Sequence, residues 1–299
     1  LIRFGVISDL HYADHDPHPN FEKTYLRHYR RSLQFLQNAV KAWELDKVGF
    51  VIDLGDVIDG KNVAIKQSLQ AFEKILNVYK SLNVPDLHVV GNHELYNFSR
   101  SDLLKMNAFQ CKHSCLNGFN NFDNSGFMYY CYEPHPSVKC IVLDMYEISL
   151  LGNDVNSPEY KQALGILSIN PNQDLNSAFG LEGTDERFVK YNGGISKAQL
   201  QWLDVVLEDS EKKKQMVIMF GHCPLQSNYP MTLCWNYDEI LAVMHQHKCV
   251  QAYCCGHAHE YYYTMDSKGI HHLTLPGVIK LPTEISSGHL TVDVYNDKL

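Results

Sequence analysis

Val48-Gly49-Phe50-Val51-Ile52-Asp53-Leu54-Gly55-Asp56 opens as an apolar run and closes on a glycine and a carboxylate. A short apolar run stopped by glycine reads as a core strand, and the polar residue after it sits where the strand leaves the sheet. The same form recurs at Ile2–Ser8, Leu87–Val90, Cys140–Asp144, Met216–Phe220 and Val250–Cys254, most of which end at a glycine or a residue able to bind a cation. The recurrence predicts an α/β fold whose strands carry chemistry at their C-terminal ends.

Five motifs occupy those ends in order: Asp9-x-His11, Gly55-Asp56-x-x-Asp59, Gly91-Asn92-His93-Glu94, Gly221-His222 and Gly256-His257-x-His259. They offer oxygen and imidazole donors without thiolate, a set that suits Mn²⁺, Fe, Zn²⁺ or Mg²⁺. A finger gathers its ligands within about 30 residues, whereas these are spread over nearly the whole chain, so a folded sheet must gather them. Asp56 follows Gly55, where backbone and cation can approach closely, and its two carboxylate oxygens can bridge two cations. Asp9, His11 and His259 suit one cation; Asn92, His222 and His257 suit the second. Two cations about 4 Å apart make a shared water nucleophilic and clamp phosphoryl oxygens. His93, beside a ligand but not counted as one, is the expected proton donor to the leaving oxygen, with Asp59 as its carboxylate partner.

Each motif has an ordinary explanation when taken singly, as a surface pair, a turn or alternate residues of a half-exposed strand. The ordered set at strand ends does not. Cys111-x-His113-x-Cys115 lacks a second pair at finger spacing and reads as free thiols, and His271-His272 reads as strand surface. No Gly-x-Ser-x-Gly elbow, phosphate loop or dinucleotide fingerprint occurs.

The 299 residues, 45% hydrophobic and 20% charged, suffice for one extended domain over 1–299. Net charge −8, with six arginines, excludes the basic track that binds long nucleic acid. Nine cysteines without framework spacing read as reduced thiols, so a cytoplasmic location is expected. The chain opens directly on a strand pattern without a leader signature, and no apolar stretch reaches the ~20 residues that span a bilayer. A monomer that does not engage membranes is expected.

Leu26, Tyr29, Leu33, Leu36, Val40 and Trp43 form one helical stripe, and Ile65, Leu69, Phe72, Leu76 and Tyr79 another. Ser196-x-x-Gln199 predicts a capping box at the start of a third helix, and a fourth is expected from about Asp238 to His245. Glu260–Met265, His271–Leu275 and Leu290–Tyr295 read as antiparallel strands of a second sheet. Two sheets face to face with helices outside make a four-layer sandwich. The polar stretches 12–22 and 146–195 fall outside that pattern and read as lids or binding loops.

The five motifs, spanning residues 9 to 259, resemble the calcineurin-like metallophosphoesterase family. That resemblance implies a four-layer α-β-β-α sandwich of two mixed sheets. It places Asp9, His11, Asp56 and His259 on one metal, and Asp56, Asn92, His222 and His257 on the other, with His93 and Asp59 as the general-acid pair. The family's protein phosphatases carry arginines where Gly60-Lys61 and Leu95-Tyr96 stand here, so phosphoprotein is a poor substrate. Its purple acid phosphatases place a metal-binding tyrosine where this chain has Asp59.

The whole chain is also similar to the manganese-dependent ADP-ribose/CDP-alcohol diphosphatases. The likeness rests on Ser8-Asp9-Leu10-His11-Tyr12-Ala13-Asp14, Tyr29-Arg30-x-Ser32-Leu33, Gly91-Asn92-His93-Glu94-Leu95-Tyr96-Asn97, Asn192-Gly193-Gly194 and Trp235-Asn236-Tyr237. It implies two divalent ions, preferably Mn²⁺. It also implies cleavage of ADP-ribose to AMP and ribose 5-phosphate, or of CDP-choline and CDP-glycerol to CMP and a phosphoalcohol. A cyclic-nucleotide phosphodiesterase is the competing enzyme reading. A non-catalytic metal-binding scaffold would show gaps in the motifs, and none is present. Segments 12–30, 146–195 and 228–237 leave from the expected site and are assigned to the substrate rim. There Phe21, Tyr25, Leu181, Trp235 and Tyr237 offer an apolar face for a base, and Asn92, Asn192 and the Gly193 backbone offer polar groups for a ribose.

Overall fold

The structure is a computed structural model that describes residues 2–20, 23–106, 128–282 and 284–295. In chain order its strands are β1 (Ile2–Ile7), β2 (His18–Pro19), β3 (Leu26–Arg27), β4 (Phe50–Asp53), β5 (Asp86–His88), β6 (Tyr130–His135), β7 (Val138–Val142), β8 (Met216–Phe220), β9 (Val250–Cys255), β10 (Tyr262–Met265), β11 (His271–Thr274) and β12 (Leu290–Val294). The α-helices are α1 (Arg31–Asp46), α2 (Lys61–Ala64), α3 (Ser68–Tyr79), α4 (Asn92–Asn97), α5 (Arg100–Met106), α6 (Pro158–Leu167), α7 (Lys197–Lys212) and α8 (Tyr237–Met244).

Of the two large sheets, one has the order β12-β1-β4-β5 and the other β10-β11-β9-β8-β7-β6, while β2 and β3 pair as a separate two-stranded ribbon. Each large sheet is parallel inside and antiparallel where β12, β10 and β6 join, so both are mixed. The period-2 alternation of strands explains the layering. Phe50, Ile52 and Leu54 of the first sheet meet Val138, Cys140, Ile218 and Phe220 of the second in the central core. There Phe4 stacks on Phe50 with ring centres 4.8 Å apart and meets Phe220 edge-on at 5.9 Å. The intervening residues Ile7, Val51, Val217 and Met219 instead join the helical side chains Leu36, Trp43, Phe72, Trp202 and Val206 in the outer layers. An added Cβ on Gly5 would strike the Trp43 indole, so α1 lies flat on β1. The expected four-layer sandwich is the observed one.

Several local expectations are corrected. The last three runs do not make a sheet of their own: β10 and β11 extend the sheet of β9, while β12 returns to pair with β1. Leu26 lies in β3 and Tyr29 precedes α1, whose buried face is Phe35, Leu36, Ala39, Val40 and Trp43. On α3 the buried face is Ala71, Phe72, Ile75 and Tyr79, leaving Leu69 half exposed. Ser196 caps α7 by accepting the Gln199 N–H at 3.0 Å, but the reciprocal bond comes from Glu147, which accepts the Ser196 N–H at 3.0 Å. His272 is buried and paired with Asp266 at 3.0 Å rather than on the strand surface.

The polar stretch 146–195 is an ordered unit. It contains α6, is closed by a bridge between Ile148 and Gly194, and has a small core of Ile148, Ala163, Leu167 and Phe188 with Trp235. Its asparagines satisfy turn carbonyls, as when Asn170 Nδ2 donates to Ser177 and Phe188 at 3.0 and 2.8 Å. Cys111, His113 and Cys115 lie outside the described residues. The seven described cysteines are buried. No helix among the described residues is long and apolar enough to cross a membrane.

Candidate metal centre

Beyond β1 and β4 the chain keeps strand-like pairing for one more turn. Asp9 N–H donates to Gly55 O at 3.1 Å, His11 N–H to Asp56 O at 2.8 Å and Tyr12 N–H to Val57 O at 3.0 Å. This sets Asp9, His11 and Asp56 side by side. β5 delivers Asn92 at the start of α4, β8 delivers His222 and β9 delivers His257 and His259. Among the described residues nine non-glycine positions have positive φ, and five of them are Asp9, His11, Asp56, His257 and His259. Left-handed backbone at residues with a Cβ costs energy and persists where the surroundings over-determine it, as at functional sites. Space is as tight as the backbone: a Cβ on Gly91 would strike the Asp56 carboxylate, and one on Gly256 would strike Ser8 and Asp9.

Three donor groups result, each with ligand atoms within 4.8 Å of one another: Asp9, His11, Asp56 and His259; Asp56, His222 and His257; and His11, Asp59 and His93. Asp56 belongs to the first two. His11 Nε2 lies 3.5 Å from Asp56 Oδ2 and 2.9 Å from His259 Nε2, which is 3.1 Å from Asp9 Oδ1. In the second group His222 Nε2 is 3.3 Å from Asp56 Oδ2, 3.3 Å from Asn92 Oδ1 and 3.2 Å from His257 Nδ1.

Hydrogen bonds on the far sides of these rings fix which nitrogens carry protons. His222 Nδ1 donates to Leu54 O at 2.7 Å, and His257 Nε2 donates to Asn192 Oδ1 at 2.7 Å. Their other nitrogens, His222 Nε2 and His257 Nδ1, face each other across 3.2 Å. His11 Nδ1 donates to Asp59 at 3.2 Å, turning its Nε2 towards His259. Burial lowers the pKa of both His11 and His222, but Asp59 and Asp9 raise His11 to about 9 and Asp56 raises His222 to about 10, so these rings carry the positive charge that the buried carboxylates require. A divalent ion among the same nitrogens and carboxylates could supply that charge instead, so the residues fit metal ions.

Electrostatics follow the same crowding. Burial opposes ionisation of Asp9, but His259 and His11 hold its carboxyl well below the usual range. For Asp56 burial is likewise outweighed, chiefly by His222 and His93. Burial, with the His11 charge, pushes His93 down to about 4.

The remaining expected residues are distributed as follows. Asp59 Oδ2 is 3.2 Å from His11 Nδ1 and 3.4 Å from His93 Nδ1, but His93 Nδ1 accepts the Gly60 N–H at 3.0 Å. The directed bond of Asp59 is thus to His11, and Gly60 orients His93. Tyr25 lies beside the first group, its hydroxyl 3.4 Å from His259 Nδ1. Asn192 has no amide group left for a ribose: Nδ2 donates to Arg187 O and Met231 O at 2.9 and 2.8 Å, and Oδ1 serves His257. Gly193 is packed against Met145 and Tyr146. Trp235, 2% exposed, belongs to the small core, with its indole N–H on Val189 O at 3.3 Å. Tyr237 lies under the Arg187 guanidinium at 5.3 Å, and Leu181 is partly buried in a turn closed on Ala178. Phe21 lies outside the described residues.

Three neighbours escaped the sequence reading. Glu94, fully buried, accepts the N–H groups of Asp56, Val57 and Gly91 at 3.0, 2.8 and 2.8 Å. Its place three residues into α4 was the available signal. Arg27 Nη1 lies 3.6 Å from Asp59, and its Nε is buried without a hydrogen-bond partner. The Tyr146 hydroxyl is 3.3 Å from Asn92 Oδ1. No local pattern announces either of these.

Comparison with known proteins agrees with the geometry. The calcineurin-like phosphoesterase family profile matches residues 2–261. The chain is similar to the manganese-dependent ADP-ribose/CDP-alcohol diphosphatase of Xenopus tropicalis, with 42% identity over 311 residues covering 99% of this chain and 89% of that protein. It is similar to the Homo sapiens protein of the same name at 38% over 306 residues, covering 100% and 89%. A crystal structure of a dimetal phosphatase from Danio rerio matches with a TM-score of 0.92 at 36% identity, covering 99% of this chain and 93% of that one.

Proposed function

The chain belongs to the calcineurin-like phosphoesterase family, and from that premise we propose that it hydrolyses the diphosphate bridge of small nucleotidyl compounds with two divalent ions, preferably Mn²⁺. The substrates are those in the names of its relatives: ADP-ribose, giving AMP and ribose 5-phosphate, and CDP-alcohols, giving CMP and a phosphoalcohol. The observation that carries this reading is the pair of imidazole groups whose ring nitrogens converge around the shared carboxylate of Asp56.

Asp9, His11, Asp56 and His259 would hold one ion, and Asp56, Asn92, His222 and His257 the other. When bound, such ions acidify water and offset phosphate charge. His93, its Nδ1 occupied by the Gly60 N–H, would present its Nε2–H to the departing phosphate oxygen as a hydrogen-bond donor. Arg27 offers a guanidinium with an unused donor beside the same groups, suited to a phosphate oxygen. Segments 12–30, 146–195 and 228–237 would form the rim of one domain over 1–299, a reading supported by Tyr25 reaching His259 and Asn192 reaching His257. A monomeric, cytoplasmic enzyme belongs to the same proposal, supported by the burial of its described cysteines in the core, without the framework spacing of a disulfide scaffold.

Turnover of ADP-ribose, CDP-choline and 2′,3′-cyclic AMP with Mn²⁺ tests it. Hydrolysis of the first two, abolished together with Mn²⁺ binding in Asp56→Ala, is expected. Turnover of the cyclic nucleotide alone would replace it with the phosphodiesterase reading.

A further inference from the structure

The two donor groups that share Asp56 are supported differently. In the first, His11 is held by the carboxylate of Asp59 from within the metallophosphoesterase loops. In the second, His257 is held by Asn192, 65 positions earlier and at the end of the ordered insertion 146–195. The orientation of the Asn192 amide is determined by its surroundings. Nδ2 lies 2.9 Å from Arg187 O and 2.8 Å from Met231 O, and only an NH₂ group can satisfy two carbonyls. The opposite atom must then be the oxygen, and at 2.7 Å from His257 Nε2 it can only accept. Asn192 is itself completely buried. It therefore selects the His257 tautomer that keeps a proton on Nε2 and a free lone pair on Nδ1, the atom beside His222.

We propose that Asn192 is a positioning residue for the second metal position, so that its acceptor oxygen, carried by the insertion onto His257, sets the affinity of that ion and not of the first. The inference rests on the two-metal reading above and concerns only how one ligand is held. Removing an outer partner of a metal-bound histidine typically weakens metal affinity about 10–100-fold. The tie also places the rim and the centre under one constraint: the side chain that orients His257 joins the two backbone turns around residues 187 and 231.

The two roles of the side chain separate by substitution. Asn192→Ala removes the acceptor for His257 and both donors to the carbonyls. Asn192→Asp keeps an acceptor for His257 but cannot donate to Arg187 O and Met231 O. Mn²⁺ titration of the full-length protein, followed by electron paramagnetic resonance, counts the ions and distinguishes a lone ion from a spin-coupled pair. Thermal unfolding is recorded alongside.

The parent should bind two Mn²⁺. Asn192→Ala should keep one at parental affinity and bind the second about 10–100-fold more weakly, the coupled signal returning at high Mn²⁺. Asn192→Asp should keep the coupled pair near parental Mn²⁺ concentrations while unfolding at lower temperature. Equal loss of the second ion in both variants would assign Asn192 to bridging the carbonyls and overturn the proposal, as would parental binding in Asn192→Ala. If the alanine variant does not fold, retention or loss of the coupled pair in Asn192→Asp decides alone. A parent that binds fewer than two ions would overturn the two-metal reading itself.

Discussion

Glu94 accepts the backbone N–H of Asp56 at 3.0 Å through a carboxylate that no solvent reaches. It also takes the N–H groups of Val57 and Gly91, so one side chain fastens the loop after β4 to the loop after β5. Glu94→Ala would strand three buried donors, each costing about 1–3 kcal/mol. The expected outcome is a destabilisation of at least about 3 kcal/mol in denaturant unfolding, together with loss of bound Mn²⁺. Parental stability would show that water replaces the carboxylate.

Asp59 and His93 should separate by what they lose. Because the directed bond of Asp59 is to His11, Asp59→Asn should weaken Mn²⁺ binding, with activity recovering as Mn²⁺ is raised. His93 is turned by Gly60 and is not needed to complete either donor group around Asp56. His93→Ala should keep its metal and lose roughly 10²–10⁴ in kcat, most for poor leaving groups. Metal content and kcat measured on the same preparations check both, and matching profiles for the two variants would contradict the division.

Sequence and structure agree most closely where the information is local. An apolar run and the polar residue that stops it lie within a few positions, so β1, β4, β5, β8 and β9 and the seven expected ligands could be placed together from their order alone. Pairing partners distant in the chain were harder. Nothing around Leu290–Val294 distinguishes a strand that joins β10 and β11 from one that returns 290 positions to β1, as the pairing of Arg3 with Asp293 shows. The stretch 146–195 read as loop because its hydrogen bonds come from asparagine side chains rather than from a helix or strand ladder. The rim residues were chosen by aromaticity, which equally marks core, and Trp235 is core. Arg27 and Asn192 matter through contacts with Asp59 and His257, 32 and 65 residues away.

The loop that presents Asp56 depends on a buried titratable network. Asp53 accepts the Gly55 N–H at 2.8 Å and the Tyr79 hydroxyl at 2.8 Å, and His88 lies 3.8 Å from Asp53 and 2.9 Å from Asp86. Burial pushes the His88 pKa down, but the two carboxylates outweigh it and raise it to about 9. A raised folded-state pKa means that the stabilisation is complete below the unfolded value near 6.5 and is lost as pH rises through about 9. The stability gap between the parent and His88→Gln should therefore shrink between pH 6 and pH 10. A gap independent of pH would mean that His88 is neutral throughout.

Trp235 and Tyr25 were both assigned to the substrate rim, and their surroundings now predict opposite behaviour. The Trp235 ring fills the core formed by Ile148, Ala163, Leu167 and Phe188, so its removal leaves a cavity under the insertion rather than a gap beside a substrate. Trp235→Ala should destabilise by about 3–5 kcal/mol and depress kcat/KM on ADP-ribose and CDP-choline by the same factor. Tyr25 is only partly buried, and its hydroxyl stands 3.4 Å from His259, beside the donor group where a substrate must enter. Tyr25→Leu keeps apolar bulk but removes the flat ring and the hydroxyl. A base and an alcohol moiety use those features unequally, so the ratio of kcat/KM between the two substrates should change. Equal losses in Tyr25→Leu would show that this ring only packs against His259, and the rim would then have to be sought elsewhere in 12–30, 146–195 or 228–237.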